Sequence, residues 1–119
     1  MNTNRITGNI GERIAEQYLI KQGYHILEHN YWKPFGEIDI VARIRTLIVC
    51  VEVKTSRGEI MPGWQMTPHK LQKFKRIIET YIMEKRLSGK RVRADAILIN
   101  LKSGAVEYAL EHIEGIELP

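Results

Sequence analysis

Two carboxylates and one ammonium stand inside runs of this chain that are otherwise almost wholly apolar. Asp39 interrupts GEIDIVAR, and Glu52 with Lys54 interrupts LIVCVEVK. Burying an ion on a strand costs several kcal/mol unless something pairs with it. A hard divalent cation, Mg²⁺ or Mn²⁺, would share that cost, because it takes oxygen ligands in near-octahedral geometry. Asp39 and Glu52 from neighbouring strands, a strand carbonyl and water would supply those ligands. Such an ion polarises a phosphate and activates a water for in-line attack. Lys54 lies on the same strand face as Glu52. There it would position or deprotonate the water, or stabilise developing charge. The plain alternative is a solvated Glu52–Lys54 pair at a strand end, with Asp39 opening a turn. An ExK spacing alone is weak; an aspartate one hairpin earlier, in a second apolar run, makes the pattern more specific.

Glu12 borders the apolar stripe of a helix and would add a direct or supporting contact to the same ion; weighed alone it reads more readily as a solvated helix glutamate. Lys70, Lys73, Lys75 and Arg76 decorate a helix that follows the ExK strand, so the helix N-terminus and its first lysines suit a phosphate backbone. Arg43 and Arg57 flank the acidic pair. Tyr31, Trp32, Phe35 and Trp64 read as loop aromatics, some packed on the core and others free to stack on unpaired bases. His25, His29, His69 and His112 show no metal-ligand spacing and read as structural or surface residues.

These groups need a frame. A first helix is expected from Thr7 to Gln22, with Ile10, Ile14, Ala15, Tyr18 and Leu19 on its apolar face. Gly8 and Gly11 lie on that face for close approach to a sheet, and Gly23 ends the helix. Strand one is expected over Tyr24–Glu28, followed by a loop from Asn30 to Gly36. Strand two runs Glu37–Arg43 with Glu37, Asp39 and Val41 on one face. A tight connection at Arg45-Thr46 leads to strand three, Leu47–Lys54, as an antiparallel hairpin. Ile48, Cys50, Glu52 and Lys54 face one way and Leu47, Val49, Val51 and Val53 the other, so this strand is central and covered on both sides. Thr67 caps a second helix with Pro68 at its first position, running to about Leu87 with Leu71, Phe74, Ile78, Tyr81 and Ile82 inward. Strand four follows at Arg93–Leu101, and Ala105–Ile113 reads as an edge strand. The order αβββαβ gives an α/β fold: a mixed central sheet flanked by helices.

The 119 residues suit one domain spanning residues 1–119. A hydrophobic share of 44% and a charged share of 27% are ordinary for a globular protein. Eighteen Lys and Arg against 14 Asp and Glu give a net charge of +4, which permits a polyanionic partner without requiring one. Cys50 is the single cysteine and sits in an apolar run, so it reads as core and leaves no intramolecular disulfide. No apolar run approaches the ~20 residues of a membrane span, and the N-terminus has no signal-peptide core. A cytoplasmic protein without membrane contact is therefore expected.

The ordered blocks GNIGERIAEQYLIKQGYHILEHNY, GEIDIVAR, VCVEVKTSRG, TPHKLQKFKRIIETYI and RADAILI resemble the YraN family. These are small bacterial proteins related to the Holliday-junction resolvases of the PD-(D/E)xK nuclease superfamily. The resemblance covers roughly residues 7 to 101. It implies a restriction-endonuclease-like fold with Glu12, Asp39, Glu52 and Lys54 in the acidic and lysine positions. Thr67-Pro68-His69-Lys70 resembles the family's opening of the basic helix, and Arg93-Ala94-Asp95 its Arg-Phe-Asp strand. Where the family often carries arginine two residues after the lysine, Ser56 stands here, and Arg57 follows. The expectation is a Mg²⁺- or Mn²⁺-dependent endonuclease of branched or structured DNA: Asp39 and Glu52 bind metal, and Arg57, Lys70, Lys73 and Arg76 contact nucleic acid. A homodimer is expected by analogy with resolvases. Two other readings stay open: a nucleic-acid-binding module with a silent site, and a scaffold in which the charged trio is structural.

Overall fold

The strand expected to be central, β3 (Leu47–Arg57), is bonded on both sides. The computed structural model describes residues 3–58, 60–102 and 107–119. Around β3 stand α1 (Thr3–Lys21), β1 (His25–Lys33), β2 (Gly36–Ile44), α2 (Pro68–Glu84), β4 (Arg91–Leu101) and β5 (Tyr108–Ile113). The strands form one mixed sheet in the order β1-β2-β3-β4-β5. Among the described strands only the β3–β4 pair is parallel, and α2 makes that crossover. The expected α/β architecture and αβββαβ order are both found, and the arrangement is compatible with a nuclease-like fold.

Alternation along β3 divides the core in two. Val49 and Val51, with Leu47 and Val53 beside them, pack with Ala15 and Leu19 of α1. Ile48 and Cys50 pack with Phe74, Ile77, Ile78 and Tyr81 of α2. The helices therefore cover opposite faces of the sheet, and the next residues on the α2 side of β3 are Glu52 and Lys54. Burial pushes the Cys50 thiol up to about 12, so it is an inert core residue.

Local signals set the helix ends. The amide of Gly23 (φ +95°) donates to Ile20 O and that of Tyr24 to Leu19 O, a Schellman end that glycine adopts without strain. Thr67 accepts from the Lys70 amide at 3.2 Å with Pro68 behind it. Within α1 the buried row is Thr7, Gly11, Ala15 and Leu19. Ile10, expected in the core, is instead 38% exposed, because the row that meets the sheet lies one position round the helix. The helix also begins at Thr3 rather than Thr7.

The main departure is β1. Asn30 to Lys33, expected in a loop, continue the strand, and only Pro34 and Phe35 separate it from β2. Asn30, Pro34 and Gly36 gave the loop signal, but Asn30 satisfies its left-handed preference (φ +47°) inside the strand. Tyr31 is consequently buried, edge-on to Tyr81 with ring centroids 4.9 Å apart, while Trp32 is 63% exposed. At the other edge β5 starts at Tyr108; the expected start at Ala105 lies outside the described residues. No helix among the described residues is long and apolar enough to cross a membrane.

A buried polar cluster ties β5 and the C-terminal segment to the α1 face. Asp95 accepts from Arg93 Nε and Nη2 at 2.8 Å each and from the Gly115 amide at 3.0 Å, and lies 2.8 Å from His112 Nε2. His112 Nδ1 is 2.9 Å from the Tyr18 hydroxyl. Burial alone would push the Asp95 carboxyl up, but these donors outweigh it and hold it below the usual carboxylate range.

The two glycines of α1 that were expected to admit the sheet behave differently. A Cβ on Gly11 would lie 2.8 Å from Thr55 Cβ, whereas one on Gly8 would meet nothing within 4 Å. Gly11→Ala is expected to destabilise the fold by about 1–3 kcal/mol through overpacking. Gly8→Ala is expected to stabilise it by about 0.5–1 kcal/mol through helix propensity. Denaturant midpoints of the two variants check both signs; equal shifts would show that α1 does not press on β3 at Gly11.

Candidate metal centre

The ladder between β2 and β3 runs from Ile44↔Leu47 to Ile40↔Val51 and stops there. Beyond it β3 stays paired to β4 as far as Arg57, while β2 continues along β1. The Val53 amide, left without a strand partner on this side, donates to Asp39 Oδ2 at 2.8 Å. Asp39 thus fills the notch where the strands part.

At the same level β2 changes face. Ile38 packs in the α2 core and Ile40 in the α1 core, although two residues apart on a regular strand they would share a side. The opposing strand does the same: His29 lies 3.6 Å from Glu16 of α1, and Tyr31 packs in the α2 core. Between them stands Asn30 in its left-handed conformation. This matched kink corrects the expectation of unbroken alternation through Glu37, Asp39 and Val41, and it opens Asp39 to both sides of the sheet. Cavities on the two sides meet at its carboxylate. One of about 240 Å³ is lined by Glu37, Glu52, Lys70 and Lys73; another, of about 420 Å³, by Ile6, Ile10, Glu12 and Asn30.

Three carboxylates, Glu12, Glu37 and Asp39, each bring an oxygen within 4.8 Å of the others. An all-oxygen donor set on α1 and β2 fits a hard divalent cation such as Mg²⁺ or Mn²⁺. Glu52 lies outside this tight triad but lines two of the cavities that Asp39 lines. Glu37 was not among the residues singled out from the sequence. Its signal was its place two residues before Asp39, but an exposed glutamate next to a turn glycine reads as solvated.

The other candidates divide by location. Lys70 and Lys73 project from the first turns of α2 into the cavity of Glu52 and Asp39. The Lys54 ammonium lies over the Trp64 ring, 5.6 Å from its centroid, and its charge acts on Glu52. The loop carrying Trp64 is pinned by buried Asn100, which donates to Ile60 O at 2.9 Å and Ser56 Oγ at 3.0 Å. Arg57 donates from Nε to Thr7 Oγ1 at 2.7 Å, tying β3 to α1. Arg76 stacks on Phe35 at 3.9 Å on the outer side of α2, away from the triad. Arg43 turns back onto Arg45 O.

This is an α/β domain with a carboxylate-lined notch at the end of a broken strand pair. The family model described as an uncharacterised protein family, UPF0102, matches residues 11–99, and the chain belongs to that family. A UPF0102 protein of Syntrophus aciditrophicus is 41% identical over 86% of this chain and 82% of its own. One of Thermotoga neapolitana is 36% identical over 90% and 94%, and one of Clostridium tetani 35% over 93% and 93%. The YraN-family resemblance is met by these matches.

Crowding of the carboxylates has a direct electrostatic result. Burial, the Glu52 charge and a hydrogen bond with Glu37 push Asp39 up to about 9, against the opposing Val53 amide. Burial, and then the Glu37 charge, push Glu52 up to about 7, against Lys54 and Lys70. Glu12 is raised by burial and by Glu37. A carboxyl whose folded value exceeds its unfolded one holds its proton more tightly in the native state, so the metal-free fold loses stability as pH rises from about 4 toward 9. Asp39→Asn keeps an acceptor for Val53 and removes the charge. It is expected to raise the melting temperature of the metal-free protein at pH 8, with the gain shrinking toward pH 4. Thermal unfolding at the two pH values checks this; a gain independent of pH, or a loss at pH 8, would show that Asp39 is not electrostatically strained.

Proposed function

We propose that this protein is a metal-dependent endonuclease acting on DNA. The observation that carries the reading is the gathering of Glu12, Glu37 and Asp39 where β2 and β3 part, with Glu52, Lys70 and Lys73 lining a cavity that opens on the same carboxylate. A triad of carboxylates without cations beside it would suit any divalent ion; two lysines at the start of a helix, facing the acids, add a place for a phosphodiester.

When bound, Mg²⁺ or Mn²⁺ supplies charge neutralisation at the phosphate and activation of a water for in-line attack. Asp39 holds the cation from the notch, fixed in direction by the Val53 amide, and Glu12 and Glu37 complete the carboxylate side. Glu52 bears on the same cavity and orients ligands there. Lys70 and Lys73 bind the phosphate and neutralise its charge. Lys54 contributes positive charge beside Glu52 as negative charge develops on the phosphorane-like transition state. Arg57 and Arg76 extend the basic surface along the DNA. The resemblance to Holliday-junction resolvases favours branched or otherwise structured DNA, and with it a two-fold dimer.

A second reading, a nucleic-acid-binding module with a silent site, is favoured by one observation: Lys54 rests on Trp64 and lines none of the three cavities that touch Asp39. Incubation with junction, flap, single-stranded and duplex DNA in Mg²⁺ or Mn²⁺ separates the two. Cleavage by the wild type is expected, lowered by about 100-fold or more in Asp39→Ala and Lys54→Ala. Mn²⁺ is expected to raise the melting temperature of the wild type at pH 8 but not that of Asp39→Ala. Salt-sensitive binding without cleavage, equal in all three proteins, would favour the binding module.

A further inference from the structure

The basic cavity with Lys70 and Lys73 is one of three that touch Asp39; the larger of the two beside α1 has a different chemistry. Its wall is the exposed front of α1 and the kink of β1. Ile6 and Ile10, one turn apart and each 38% exposed, form an apolar patch beside Asp39. Asn9, His29 and Asn30 bring amide and imidazole groups to the same space, and all three are exposed. Beyond Glu12 and Asp39, already assigned to the cation, its charged residues are Arg13 and Glu16, one of each sign, with His29 3.6 Å from Glu16, so no basic cluster for a phosphate stands here. An occupant that suits these walls is neutral, has an apolar face to lie on Ile6 and Ile10, and carries edge groups for amides to read. At about 420 Å³ the cavity is large enough for one flat heterocycle.

We propose that this cavity receives an unpaired nucleobase adjoining the phosphate held at Asp39. The inference rests on the nuclease reading and narrows its substrate to DNA with a nucleotide free to leave the stack. The two sides then divide the work by charge. Anionic backbone lies on the Lys70–Lys73 side, the base on the Ile6–Ile10 side, and Asp39 is the wall they share. The kink at Asn30 makes this division, because a regular β1–β2 pair would close Asp39 to one of the faces. A base-paired nucleotide cannot enter, since its edge groups are engaged and its neighbours stack on both faces.

The test compares two probes with identical phosphates. One is an oligo-dT strand; the other is a strand of equal length built wholly from abasic residues. Binding is measured in Ca²⁺, with cleavage followed separately in Mn²⁺. The wild type is expected to prefer the base-bearing strand by about tenfold. In the Ile6→Gln/Ile10→Gln variant, exposed positions that a folded helix tolerates, the ratio is expected to fall to about one. Ile10→Ala, the milder change, is expected to lie between. A wild-type ratio near one, or a ratio untouched in the variants, overturns the inference. So does a change in sedimentation of the variant at unchanged ratio, which would make this face a contact between copies of the chain. If cleavage in Mn²⁺ persists while the ratio is near one, the base pocket alone fails. If the wild type neither binds nor cuts DNA, the nuclease reading fails and takes the pocket with it.

Discussion

The site depends on the parting of β2 from β3 at Ile40 and Val51. A strand pair that ends in mid-sheet leaves backbone donors facing an empty edge, and an unpaired buried N–H costs about as much as a lost hydrogen bond. Here the Asp39 carboxylate takes the Val53 amide. That bond serves two ends. It satisfies the backbone where the ladder fails, and it fixes one oxygen of Asp39 while the carboxylate stays at the mouth of cavities on both faces. The β3–β4 pairing continues to Arg57 beside it, so the parting leaves one wall of the notch rigid.

How much of this the residues announced depends on whether the signal was local. The central place of β3 was legible because both of its faces are apolar until Glu52, as a strand covered on both sides requires. The caps of both helices were legible because Gly23 and the Thr67-Pro68 pair act through their own backbone. The face change in β2 was not, since nothing in GEIDIVAR distinguishes a straight strand from one that turns over at Asp39. The cause lies partly on β1, where Asn30 kinks in step. For the same reason Glu37 read as solvated, and Ile10, judged by helical period alone, read as core. Asp95 and His112 were legible as polar residues but not as a pair, because only the β4–β5 register brings them together.

Two aspartates show how its partners set the state of a buried carboxylate. Asp95 and Asp39 flank β3 at nearly the same height, Asp95 opposite Val51 and Asp39 one residue beyond Val51's other partner, Ile40. Asp95 has no exposed surface, yet it is held below the usual carboxylate range by His112, Arg93 and Gly115. Asp39 has one backbone donor, carboxylates for neighbours, and is raised. Burial pushes both carboxyls up and is the strongest single influence on each, and only Asp95 has donors enough to reverse it. The difference is in the partners: the sheet supplies Asp95 with a full set of donors and surrounds Asp39 with groups of its own sign. An arrangement that gathers like charges in a notch lowers the stability of the fold in the absence of a cation. That cost sets Asp39 and its neighbours apart from the donor-bonded Asp95, as the place where a bound cation would stabilise the fold.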